Sequence, residues 1–117
     1  MKHNREWLRS GAQLMILSLI SERDRSGYEI IQELERRSNY VFEMKEGTLY
    51  PILPRLEKNG FLKSYSAKMD NGRNRKYYQI TKSGSKQLQL DKETWSEFSE
   101  SVKKVVDGTL VSLEYSQ

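Results

Sequence analysis

The sequence predicts a mainly α-helical fold with a small β-hairpin, completed by one long terminal helix. Three observations lead to that prediction. Leu49, Ile52, Leu53 and Leu56 recur at i, i+3, i+4 and i+7, the spacing that gathers side chains on one stripe of a helix. Two runs rich in Phe, Tyr and Ile, 61–68 and 75–81, flank Asp70-Asn71-Gly72, and Asn-Gly between such runs is a strong hairpin signal. Beyond Thr81, the residues Leu88, Trp95, Phe98, Val102, Val105 and Thr109 are spaced by seven, three, four, three and four, a heptad-like seam.

In chain order, a first helix is predicted over about residues 5–21, with Trp7, Leu8, Leu14, Met15, Leu17 and Ile20 supplying apolar surface on more than one side. Asp24-Arg25-Ser26-Gly27 reads as a turn, and Ser26-x-x-Glu29 is the capping-box pattern that starts a second helix. Tyr28, Ile30, Ile31 and Leu34 form its expected inner face, which fades near Ser38-Asn39. An extended piece, 40–44, leads to the third helix. Lys45 occupies its N-cap position, where a small polar residue would satisfy open N–H groups, and Gly60 stands where a C-terminal glycine belongs. Pro51 and Pro54 each remove a backbone donor, at ~3 kcal/mol in a regular helix interior, and predict a bent helix or irregular first turns. In the second strand Tyr78 and Ile80 alternate with Tyr77 and Gln79, one face for packing and one for water. Thr81 is the expected N-cap of the last helix, with fraying near Gly108.

The outer face of the third helix carries Thr48, Tyr50, Pro51, Arg55 and Lys58, a mixture suited to phosphates and base edges that packing does not require. Alone, it reads as an ordinary amphipathic surface helix. Charge distribution adds to the argument, because the net +4 is unevenly spread. Residues 1–54 hold 8 basic and 8 acidic side chains, 55–86 hold 9 and 2, and 87–117 hold 3 and 6, giving 0, +7 and −3. A local positive excess attracts polyanions. It falls on the third helix and on the hairpin, where Lys68, Arg73, Arg75 and Lys76 crowd the tip. Three short helices followed by such a hairpin match a winged helix-turn-helix, whose wing can follow the phosphate backbone or enter the minor groove. Residues 1–81 would form that DNA-binding domain and 82–117 a dimerisation helix, with Leu88, Trp95, Phe98, Val102 and Val105 at the interface of a homodimer.

Composition narrows the alternatives. At 117 residues with 36% hydrophobic content, the chain suits one domain whose modest core gains from a second subunit. It has no cysteine, its one histidine is His3, and neither a glycine-rich phosphate loop nor a metal-ligand spacing occurs, so an enzyme, a metal and a cofactor are not expected. The longest apolar run, 14–20, is broken by Ser18 and falls short of the ~20 residues of a membrane span. No signal peptide is recognisable, and a soluble cytoplasmic protein is expected.

Gly47-Thr48-Leu49-Tyr50-Pro51, Arg55-Leu56-Glu57, Gly60, Gly72-Arg73, Arg75-Lys76-Tyr77-Tyr78 and Ile80-Thr81 with Gly84 resemble the PadR family of bacterial transcriptional regulators. The likeness runs in order from Gly27 to Gly84, and the single terminal helix is similar to the compact subfamily. It implies a repressor that binds double-stranded DNA at a palindromic operator as a homodimer. It places DNA contacts at Thr48, Tyr50, Pro51 and Arg55 and, in the wing, at Arg73, Arg75 and Lys76. Tyr28 has two readings, a phosphate contact or a packing aromatic. Trp95 also has two, plain dimer core or the wall of a cavity for a planar aromatic effector, with Gln13, Leu14, Leu88 and Ser99 as further wall positions. Pro54 departs from the family pattern, which supplies only the proline at Pro51. A rival reading makes the same fold a protein-interaction module whose basic face binds an acidic partner.

Overall fold

The computed structural model describes the backbone of residues 4–108 and the side chains of 11–108. The elements are α1 (Asn4–Glu22), β1 (Arg25–Ser26), α2 (Gly27–Arg37), α3 (Glu46–Lys58), β2 (Leu62–Lys68), β3 (Asn74–Ile80) and α4 (Lys82–Val106). This is the mainly helical, winged helix-turn-helix architecture that the sequence predicts. Ile16, Leu17 and Ile20 of α1, Ile30 and Leu34 of α2, and Leu49, Leu53 and Leu56 of α3 bury together with Leu62, Tyr78 and Leu88 in one core. The readings at His3 and Thr109, the side chains of Trp7 and Leu8, and the fraying beyond Gly108 lie outside the described residues.

The capping box forms as its spacing requires. Ser26 Oγ accepts from Glu29 N–H at 3.2 Å and Glu29 Oε1 accepts from Ser26 N–H at 3.0 Å. One expectation for α2 fails. Tyr28 is exposed and does not join the inner face. It lies two residues before Ile30, about 200° around the helix, so the stripe that buries Ile30 and Leu34 turns Tyr28 outward.

The sheet is larger than a hairpin. Arg25 and Ser26 do not form a free turn; they pair antiparallel with Tyr78 and Tyr77, giving the order β1-β3-β2. Two residues are too few for a periodicity signal, and the pairing comes from tertiary placement. Arg25 is buried, with its guanidinium donating to the Leu19 carbonyl at 2.8 Å and to Glu22 at 2.8 Å. It satisfies a carbonyl at the open end of α1. The wing turn follows the Asn-Gly signal through a longer loop: Gly72 N–H donates to Met69 O, Met69 N–H to Arg73 O, and Gly72 sits at φ 83°. The side chain of Asn71 holds Arg73 N–H at 2.9 Å.

Lys45 is the N-cap of α3 and makes no side-chain cap bond. Despite Pro51 and Pro54, α3 is helical from end to end, without an irregular first turn. The bonds the prolines delete are those to the carbonyls of Gly47 and Tyr50, both exposed residues, where water can replace them. The end of α3, the wing and α4 meet at Thr81. Its hydroxyl donates to Gly60 O at 2.5 Å and accepts from Gly84 N–H at 3.0 Å, and its N–H donates to Phe61 O at 3.0 Å. Gly84 is needed there, because a Cβ would run into the Phe61 carbonyl oxygen. The first turns of α4 then pack on α1 through Leu88 and through Asp91, which accepts from Gln13 and Gln87, both at 2.8 Å.

Candidate nucleic-acid interface

Burying Leu49, Leu53 and Leu56 fixes the rotation of α3, so Tyr50, Pro51, Arg55 and Lys58 face outward while Thr48 is half-buried. The wing and α2 come to the same neighbourhood. The Arg75 guanidinium lies over the Tyr28 ring, 5.3 Å from its centroid, and the Tyr28 hydroxyl accepts from Gln32 Nε2 at 2.9 Å. The ring of Tyr50 covers Gly27, the residue before Tyr28. Side chains from α2, α3 and β3 therefore converge at the start of α2, with Tyr28 50% and Tyr50 45% exposed.

The wing's cations do not share one side. Alternation along β3 puts Arg75 with Tyr77 and Lys76 with Tyr78, whose ring Lys76 Nζ approaches at 5.6 Å. Arg73 is exposed at the tip. On the Tyr77 face, Tyr65 stacks on Tyr77 with centroids 5.9 Å apart and donates its hydroxyl to Asp24 at 2.6 Å. That bond to a carboxylate raises the phenol's pKa above its ordinary value, helped by partial desolvation.

Ion pairing separates two populations of basic residues. Among the described residues the pairs all lie between 22 and 37: Arg23 with Glu29, Arg25 and Arg37 with Glu22, and Arg36 and Arg37 with Glu33. Hydrogen bonding from Arg37 holds the Glu22 carboxyl down at about 2, and Arg36 does the same for Glu33. None of these pairs involves Arg55, Lys58, Lys68, Arg73, Arg75 or Lys76. Among the described residues the positive excess of the 55–86 segment is thus left without ion pairs, and all of these six cations but the half-buried Arg75 are exposed.

The residues foreseen around an effector lie on α1, at Gln13 and Leu14, and on α4, at Leu88, Trp95 and Ser99. Gln13 is bonded to Asp91, Leu14 and Leu88 pack in or against the core, Ser99 is half-buried, and Trp95 is exposed on α4. A cavity of 260 Å³ lies elsewhere, between α1 and α2, lined by Met15, Leu19, Leu34, Arg37, Ser38 and Phe42 among others. Trp95 at 45% exposure, Phe98 at 59%, Val102 at 43% and Val105 at 81% form an apolar stripe on α4, with the Trp95 and Phe98 rings 6.1 Å apart. Leu88 belongs to the core and does not extend that stripe.

Sequence reasoning missed Gly27 and Gln32 at this convergence. Neither carries a local signal, since each matters only through a partner on another turn or element. Among the described residues no group of acidic residues and histidines is placed to hold a metal, and no helix is long and apolar enough to cross a membrane.

Comparison with known proteins identifies the arrangement. A solved structure of a transcriptional regulator from Clostridium thermocellum is similar at 35% identity, covering 87% of this chain and 96% of that one with a TM-score of 0.80. A transcriptional regulator of Mycobacterium tuberculosis is 35% identical over 84% of this chain and 88% of its own. Bacillus subtilis PadR, solved in complex with operator DNA, is similar at 26% identity over 70% of this chain and 46% of that one, with a TM-score of 0.62. Residues 16–90 match the PadR-like family of transcriptional regulators. With its winged fold and this match, the chain belongs to the PadR-like family of transcriptional regulators, which are not enzymes.

Proposed function

We propose that the chain is a ligand-responsive repressor that binds a palindromic operator as a homodimer. The observation that carries the DNA reading is the convergence of Tyr50, Tyr28 and Arg75 beside cations without ion pairs among the described residues. In this reading α3 enters the major groove with Thr48, Tyr50, Pro51 and Arg55 toward bases and phosphates. Arg73, Arg75 and Lys76 hold the flanking backbone, and Tyr28 adds a contact beside them. The exposed stripe Trp95, Phe98, Val102 and Val105 supports pairing of two α4 helices, which sets two copies of α3 about one helical turn, ~34 Å, apart. The operator-bound structure of Bacillus subtilis PadR, a similar protein, supports the choice of DNA over an acidic protein partner. A gel-shift titration tests it. Sequence-dependent binding to a fragment of the gene's own regulatory region is expected, and equal binding to every genomic fragment would count against an operator.

Ligand response is assigned to the centre of the α4 pair. Trp95 stands exposed beside Phe98, and a planar aromatic can stack there between two subunits. Such a ligand shifts DNA affinity only by its differential binding to two dimer geometries. Titrating Trp fluorescence with planar dyes and phenolics is expected to quench the parent and not Trp95→Phe. Equal quenching in both would place the ligand elsewhere.

A further inference from the structure

Gly27 opens α2 and is buried. It has none of the usual reasons to be glycine. Its φ is not positive, unlike those of Gly60 and Gly72, and within a helix glycine is a poorer choice than alanine. The reason lies across the fold. A Cβ on Gly27 would stand 2.7 Å from Tyr50 Cε1 and 3.6 Å from both Cδ1 and Cζ. The bare α-carbon is therefore the surface on which the Tyr50 ring rests. Tyr50 is half exposed, so an added methyl does not break the core; it displaces the ring from its seat. The next residue, Tyr28, holds the wing through Arg75, so the same backbone segment locates side chains of both α3 and β3.

The geometry points to Gly27 as a positioning residue that aims Tyr50 at the operator without touching DNA. The inference rests on the proposed DNA reading, and it adds a residue whose part in recognition is played entirely through another. Its signature is non-additivity between contacting positions.

The test is a double-mutant cycle on the full chain, using a duplex that the parent protein enriches from a random-sequence library. Tyr50→Ala is expected to weaken binding to that duplex ~10-fold, in the range of one lost base contact. Gly27→Ala is expected to do nearly the same, while the double variant falls no further than Tyr50→Ala alone. Melting supplies the second readout. Gly27→Ala should lower the thermal midpoint in the parent, leave it unchanged or raise it beside Tyr50→Ala, and still lower it beside Tyr50→Phe, which keeps the ring. Should Gly27→Ala fail to fold, recovery by Tyr50→Ala supports the seat and lack of recovery overturns it. Additive losses of ~100-fold in the double variant, or a Gly27→Ala protein that binds as the parent does, overturn the inference and leave the DNA reading standing. A library with no enriched duplex overturns both.

Discussion

Replacing Arg73 and Lys76 together by alanine is expected to flatten the salt dependence of DNA binding. Both are exposed, and neither takes part in the ion pairs of the described residues, so each is available to neutralise a phosphate. Each phosphate neutralised on B-form DNA contributes ~0.9 to the slope of log affinity against log salt, through counterion release. Two side chains in each subunit of the proposed dimer make about four contacts, so the slope should fall by ~3.6. Between about 50 and 200 mM salt, a fourfold change, the parent should lose ~150-fold more affinity than the variant. Fluorescence anisotropy of a labelled duplex across that range measures it. Arg36→Ala is the control, because its guanidinium is already engaged by both oxygens of Glu33, at 3.2 and 2.7 Å. An unchanged slope in the wing variant, or equal flattening in Arg36→Ala, would refute the reasoning.

Other expectations follow from packing and titration. Phe98→Asp should convert the proposed dimer to a folded monomer in light scattering, since its side chain is 59% exposed and stands outside the core of the described residues; a persisting dimer would move the interface off α4. Gly84→Ala should destabilise the fold by ~1–3 kcal/mol in denaturant titration, because the methyl meets backbone and not a mobile side chain. Ser26→Ala should cost ~1 kcal/mol by removing one arm of the capping box, with an unchanged melting profile arguing against it. Glu22 and Glu33 titrate at about 2 in the folded chain against an ordinary 4.5, so their stabilisation is complete above pH 4.5 and is lost as pH falls toward 2. Melting between pH 7 and 3 should therefore show a steeper acid decline in the parent than in Glu33→Gln.

Much of this architecture was legible because its signals are local. The stripe of α3, the Ser26 and Glu29 cap, the Asn-Gly wing and the Thr81 cap each need only a few neighbouring residues, and each stands in the structure where its spacing predicts. Tyr28 was misread on α2 because an aromatic near a helix start can face either way, and only the rotation set by Ile30 and Leu34 decides it. The strand at Arg25 and Ser26 exists through β3, fifty residues on, and leaves no periodic trace. Pro51 and Pro54 argued for an irregular helix when counted as interior residues; their outward placement explains why α3 is continuous. At the candidate site, residue type marked Tyr50, Arg55 and the wing cations. The seating of Tyr50 on Gly27 and of Arg75 on Tyr28 depends on contacts between elements that no spacing encodes.

The joint at Thr81 bears on how such a protein measures distance. One hydroxyl ties Gly60, two residues past the end of α3, to the first turn of α4, and Gly84 is pressed against the Phe61 carbonyl. With little slack there, α3 and α4 turn as one lever. The 25 residues of α4 span ~37 Å, so a tilt of ~5° at its base displaces the far end by ~3 Å, close to the rise of one base pair. In the proposed two-fold assembly joined along that helix, a few degrees of crossing angle would be the difference between two half-sites in phase and two that miss by a step.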